Sequence, residues 1–140
     1  MANVLINLDV DDIERAVRFY TEALELRVGR RFDEEFVELL GAGVPVYLLK
    51  KPRDTSPFSG ARTPRDYGRH WTPLHLDFVV EDIEQALARA LAHGARQEGA
   101  VSEHAYGLLA LCSDPFGHGF CLLEFRGRGY DELVPSNARG

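Results

Sequence analysis

The sequence predicts an α+β protein made of two βαβββ repeats, each with a helix packed on the apolar face of its strands. Three observations predict it. First, Val10-Asp11-Asp12-Ile13-Glu14-Arg15-Ala16-Val17 recurs as Val80-Glu81-Asp82-Ile83-Glu84-Gln85-Ala86-Leu87, with five of eight positions identical. Second, the offset between the copies is 70 in a chain of 140 residues, half its length. Third, both copies pass from a period of two to helical spacing at the same point, the signature of a strand running into a helix.

The elements follow in order. Val4, Ile6, Leu8 and Val10 alternate with Leu5, Asn7 and Asp9 in the first strand. Leu74, Leu76, Phe78 and Val80 alternate with His75, Asp77 and Val79 in its copy. Alternation separates two faces. The apolar set packs under a helix, and the mixed set faces a wet cleft or a ligand, since a buried polar group needs a partner. Asp11 or Asp12 caps the first helix and Asp82 the second, with acids in the first turn favoured by the dipole. Ile13, Ala16, Val17 and Tyr20 line one helix, and Ile83, Ala86, Leu87, Ala90 and Leu91 the other. Gly94 stops the second helix. The remaining strands are read at 27–32, 36–40 and 44–49, then at 96–101, 108–112 and 120–125. Gly41-Ala42-Gly43 and Asp114-Pro115-Phe116-Gly117 supply the turns. The resulting units are a first module at 1–52, an exposed linker at 53–70, a second module at 71–127 and a tail at 128–140.

Composition narrows the function classes. Sixteen basic residues against 22 acidic ones give a net charge of −6. No basic stripe is present to displace counterions from nucleic acid, or to meet an anionic membrane. Lys50 and Lys51 are the only lysines, so Schiff-base chemistry is confined to one adjacent pair at the edge of the first module. No apolar run suits a bilayer and no signal peptide is read. Two cysteines, Cys112 and Cys121, make no disulfide framework, and a reducing cytoplasmic setting is expected. Phosphate loops, serine elbows and tandem zinc spacings are missing from the sequence.

These residues resemble the vicinal oxygen chelate superfamily, which includes glyoxalase I, bleomycin resistance proteins, extradiol dioxygenases and fosfomycin resistance enzymes. The resemblance covers about residues 3–125. It rests on Val10 to Ala16 with Phe19-Tyr20, on His75-Leu76-Asp77-Phe78-Val79-Val80-Glu81-Asp82, and on Asp114-Pro115-Phe116-Gly117-His118-Gly119-Phe120-Cys121-Leu122. It implies two cupped mixed sheets, each backed by a helix and facing a shared cleft, and, in metal-dependent members, four inward ligand places filled by His, Gln or Glu. Carried over by position, those places fall on Leu5, on Leu48 (or Tyr47 if the register slips by one), on His75 and on Cys121.

Only His75 is a ligand of the inherited type, where catalytic zinc takes three protein ligands and non-heme iron two His and a carboxylate. The expectation is therefore a protein that binds a small organic molecule without a catalytic metal or other cofactor. The contacts expected are Leu5, Asn7, Leu48, His75, Asp77 and Cys121. The alternative is a lyase, isomerase or dioxygenase using His75 as a base, or as a ligand with unusual partners such as Asp77 or Glu124. A peptide-binding accessory module is a third class. The resemblance also implies a homodimer, with the cleft formed within a chain or between two.

Several residues admit two readings. His75 contacts a ligand or acts as a base, the role histidine suits near neutrality, or is satisfied by a neighbouring strand. Asp77 touches the ligand or pairs with an arginine. Asn7 bonds ligand or backbone, and Asp9 caps a helix. Cys121 is read as a small buried hydrophobe rather than a nucleophile. His118 is read as a turn residue, with His104 and Tyr106 at a rim. Phe58, Tyr67 and Trp71 form either a lid or a subunit contact, and Arg126 and Arg128 a solvated turn.

Overall fold

The computed structural model describes residues 1–135, and the last part of the expected tail lies outside them. The first module runs β1 (Ile6–Val10), α1 (Ile13–Glu22), β2 (Arg27–Asp33), β3 (Phe36–Leu40) and β4 (Val46–Lys50). The second runs β5 (Leu76–Val79), α2 (Ile83–Ala92), β6 (Arg96–Gln97), β7 (Ser102–His104), β8 (Gly107–Ser113) and β9 (Gly119–Phe125). A short 3-10 helix, Gly129–Leu133, follows.

The two sheets have the same plan. The first has the order β1-β4-β3-β2, and the second β5-β9-β8 with β6 and β7 both on β8. β1 runs parallel to β4 and β5 parallel to β9, while the other pairs are antiparallel. In each module the helix lies in the crossover that a parallel pair requires.

Both helices begin where the sequence indicates. Asp12 accepts from the Arg15 N–H at 3.0 Å and Asp82 from the Gln85 N–H at 3.1 Å, each cap contributing about 1 kcal/mol. Ile13, Ala16, Val17, Phe19 and Tyr20 of α1 are buried, as are Ile83, Ala86, Leu87 and Ala90 of α2. Leu91 departs from the expected face and is exposed. The helices and one face of each sheet form a single core. Phe19 meets Phe120 of β9 edge-on at 6.2 Å between ring centroids. The buried Tyr20 hydroxyl donates to Asp114 in the β8–β9 turn, so α1 joins the modules.

The other face of each sheet is open. Three expectations are refined. The strand read at 96–101 is two short ones, because Gly99 adopts φ +93° and takes the chain off the ladder between β6 and β7. The linker is largely exposed but anchored: Tyr67 is buried and donates to the Lys51 carbonyl at 2.6 Å, while Arg65 reaches Asp9 at 2.9 Å. The start of the tail is also packed, with Tyr130 edge-on to Phe125 and Tyr106.

Candidate functional site

Strand parity and register assemble the first group of side chains. Asp77 of β5 lies opposite Cys121 of β9, and His75 stands two residues before Asp77 on the same open face. The donor atoms of His75, Asp77 and Cys121 all lie within 4.8 Å of one another. His75 Nε2 is 3.2 Å from Asp77 Oδ1. Cys121 is 7 % exposed, and burial, then the Asp77 carboxylate, pushes its thiol up to about 12. At neutral pH it is therefore a protonated thiol and a poor nucleophile. Burial likewise pushes Cys112 to about 11. Both cysteines are free.

A cleft of about 770 Å³ opens beside this group, between the β1 and β5 edges and beneath residues 57–72. Phe58, Trp71, Leu74, Phe78 and Phe120 give it apolar walls, and Asn7, Thr72 and His75 offer polar groups. Trp71, the only tryptophan, is 82 % exposed. His70 and His118 also line the cleft and touch each other through ring nitrogens 3.2 Å apart.

The open face of the first sheet carries a different group. Tyr47 lies opposite both Asn7 and Glu38. The Glu38 carboxylate accepts from Arg30 Nε at 3.0 Å, Arg30 Nη2 at 2.6 Å and the Tyr47 hydroxyl at 3.1 Å. Hydrogen bonds from Arg30 hold Glu38 well below the usual carboxylate range, at about 2. Gly29 makes room, since a Cβ there would stand 2.5 Å from Glu38 Oε1. Phe32 and Phe36 stack beside Tyr47.

The expected contact residues divide. His75, Asp77 and Cys121 come together, and Asn7 joins His75 at the cleft. Leu5 precedes β1, is exposed and does not line the cleft. Leu48 is corrected: it pairs with Leu8 on the helix side and is fully buried, so Tyr47 holds the open-face place. Glu124 is corrected as a partner for His75: it accepts from the Ile83 N–H at 3.0 Å on the α2 side and pairs with Arg126. Asp9 caps no helix. It binds Arg65 through its carboxylate and accepts from His118 through its carbonyl.

The metal places implied by resemblance do not fit as a set of four. Leu5 and Leu48 have no donor atom, and the Tyr47 hydroxyl is engaged by Glu38. The second sheet supplies three donors by adding Asp77, a His, carboxylate and thiol set whose chemistry suits zinc.

A family model described as Glyoxalase-like domain matches residues 5–123. No curated protein matches the sequence. Among solved structures, a glyoxalase-related enzyme from Fulvimarina pelagi is similar at TM-score 0.68 and 19 % identity, covering 89 % of this chain and 88 % of that one. A fosfomycin resistance protein from Listeria monocytogenes is similar at TM-score 0.70 and 16 % identity, covering 96 % and 98 %. A lactoylglutathione lyase from Agrobacterium tumefaciens is similar at TM-score 0.60 and 17 % identity, covering 88 % and 92 %. These likenesses concern the fold. With the paired βαβββ modules and a match that spans most of its length, the chain belongs to the glyoxalase-like domain family of the vicinal oxygen chelate superfamily.

Proposed function

We propose that this protein binds a small organic molecule in the cleft between β1 and β5, without a catalytic metal. The observation that carries the reading is the cleft itself. Its volume of about 770 Å³ suits a drug-sized ligand, and apolar walls with a few polar groups are what such sites offer. Trp71 and Phe58 present flat faces to the ligand, Asn7 and Thr72 give hydrogen bonds, and His75 contributes a donor or acceptor.

The test is a thermal-shift screen against a small-molecule library, run in parallel with and without a strong chelator. Ligands at a hundred times their Kd raise stability by about 2.7 kcal/mol. Hits that survive the chelator and weaken in Trp71→Ala support the reading. Hits that vanish when the chelator is added contradict it.

The clustering of His75, Asp77 and Cys121 favours a second reading, a metal-dependent lyase, isomerase or dioxygenase. These three residues would hold the ion, which when bound supplies a Lewis acid. Against that reading stand the ligand-free first module and the proton that a thiol near 12 must give up on binding.

The reading includes a homodimer. Leu5, Val79, Leu111 and Phe125 are exposed on or beside the open sheet faces, where a second copy would cover them. Sedimentation velocity should give twice the chain mass, and a monomer at all concentrations rejects the pairing.

A further inference from the structure

The contact between His70 and His118 has a geometry that neither the fold nor the proposed ligand explains. His70 lies in the segment before β5 and His118 in the β8–β9 turn, 48 residues apart. The outer nitrogen of each ring is committed. His70 Nδ1 is 2.9 Å from the Gly68 carbonyl, and His118 Nε2 is 2.7 Å from the Asp9 carbonyl. A carbonyl only accepts, so both outer nitrogens carry the ring hydrogens. Each neutral imidazole has one such hydrogen. The inner nitrogens, His70 Nε2 and His118 Nδ1, are then two lone pairs facing each other at 3.2 Å. That arrangement is repulsive unless a positive centre lies between them.

We propose that His70 and His118 form a two-imidazole site for a borderline divalent cation of the zinc class. Three features support a metal ion. Two Zn–N bonds of 2.0–2.1 Å closing a 3.2 Å gap meet at about 100–106°, near the tetrahedral angle. The rings stand at 88° with centroids 5.0 Å apart, a crossed, unstacked arrangement that two ligands of one ion can share. Ligating histidines characteristically donate their second N–H to a carbonyl or carboxylate, which fixes tautomer and orientation. Here both do.

The surroundings are rigid enough to hold the pair. The Asp114 carboxylate accepts the His118 N–H at 2.9 Å and the Phe116 N–H at 2.8 Å. His70 donates its own N–H to the Gly117 carbonyl at 3.2 Å. The ion would tie the linker, the end of β1 and the β8–β9 turn at one point. Both rings line the cleft, so the ion's remaining positions take water. The site is separate from the His75, Asp77 and Cys121 group and does not rest on the ligand-binding reading.

The experiment is a Co²⁺ titration of the chelator-stripped full chain, followed by absorption and repeated with Zn²⁺ by calorimetry. The expected result is one equivalent bound without a thiolate charge-transfer band. Binding should persist in C121S and H75A and weaken about tenfold or more in H70A and H118Q. A thiolate band, or loss of binding in C121S, places the ion on the second sheet and overturns the proposal. Because H118Q can disturb the turn, the wild-type chain is also followed by ¹⁵N NMR of its histidine rings. Zn²⁺ should shift the inner nitrogens of His70 and His118. A pair that holds a shared proton and ignores Zn²⁺ overturns the proposal equally.

Discussion

At the scale of single residues, burial and charge decide what the polar groups can do. Cys121 sits where a family ligand is expected, but its thiol is held at about 12 by burial and by Asp77. Alkylation at neutral pH should be much slower than for an exposed cysteine, and Asp77→Asn should speed it by removing the carboxylate that opposes the thiolate. Equal rates in the two proteins would show that Asp77 has no hold on the thiol. Glu38 is the converse. Its pKa is lowered from 4.5 to about 2, so its contribution to stability is complete above 4.5 and is lost as pH falls toward 2. Glu38→Gln should therefore flatten the fall in Tm over that range. An unchanged acid limb would remove Glu38 as its source. Neither environment is written in the sequence around these positions. Glu38 depends on a strand pairing that brings Tyr47 opposite, and on Gly29 leaving space in β2.

At the scale of elements, the β8–β9 turn is the joint between modules. Asp114 accepts from Tyr20 of α1 and from two backbone N–H groups of its own turn. Removing the hydroxyl in Tyr20→Phe leaves a buried carboxylate short of a donor and should cost about 1–3 kcal/mol by denaturant titration. A neutral result would show that the bond contributes nothing to the joint. Gly117 is fixed by close approach. It holds φ +83°, and a Cβ would meet the Gly68 carbonyl at 1.9 Å. Gly117→Ala should lift the linker and separate His70 from His118, which the histidine ring spectra would report.

The elements themselves were largely legible. The repeated Val-x-Asp-Ile-Glu segment and the change of period locate both strand-to-helix transitions, and the caps at Asp12 and Asp82 follow from local rules. Leu48 was not legible, because β4 reads Val-Tyr-Leu-Leu-Lys with apolar groups on both faces. Its parity is set by pairing with β1, not by its own pattern. The histidine pair was hidden for a different reason: two loop residues far apart in sequence carry no periodicity that points from one to the other.

At the scale of the molecule, two copies of one unit share a core on one side of their sheets and leave the other sides open. Of the four ligand places the resemblance implies, one falls on Leu5, which offers no side-chain donor, and one on Tyr47, whose hydroxyl Glu38 engages. What the fold retains is a cleft between the β1 and β5 edges, walled by aromatic side chains. The single tryptophan at that wall makes the central claim directly measurable. The measurement is Trp71 fluorescence during titration with anilinonaphthalene sulfonate, and then with each thermal-shift hit, in the presence of chelator. The account predicts saturable energy transfer to the probe, displaced by the hits at one site per chain and lost in Trp71→Phe. Hits that stabilise the protein yet leave both Trp71 emission and the probe unmoved would place the ligand outside this cleft and contradict the account.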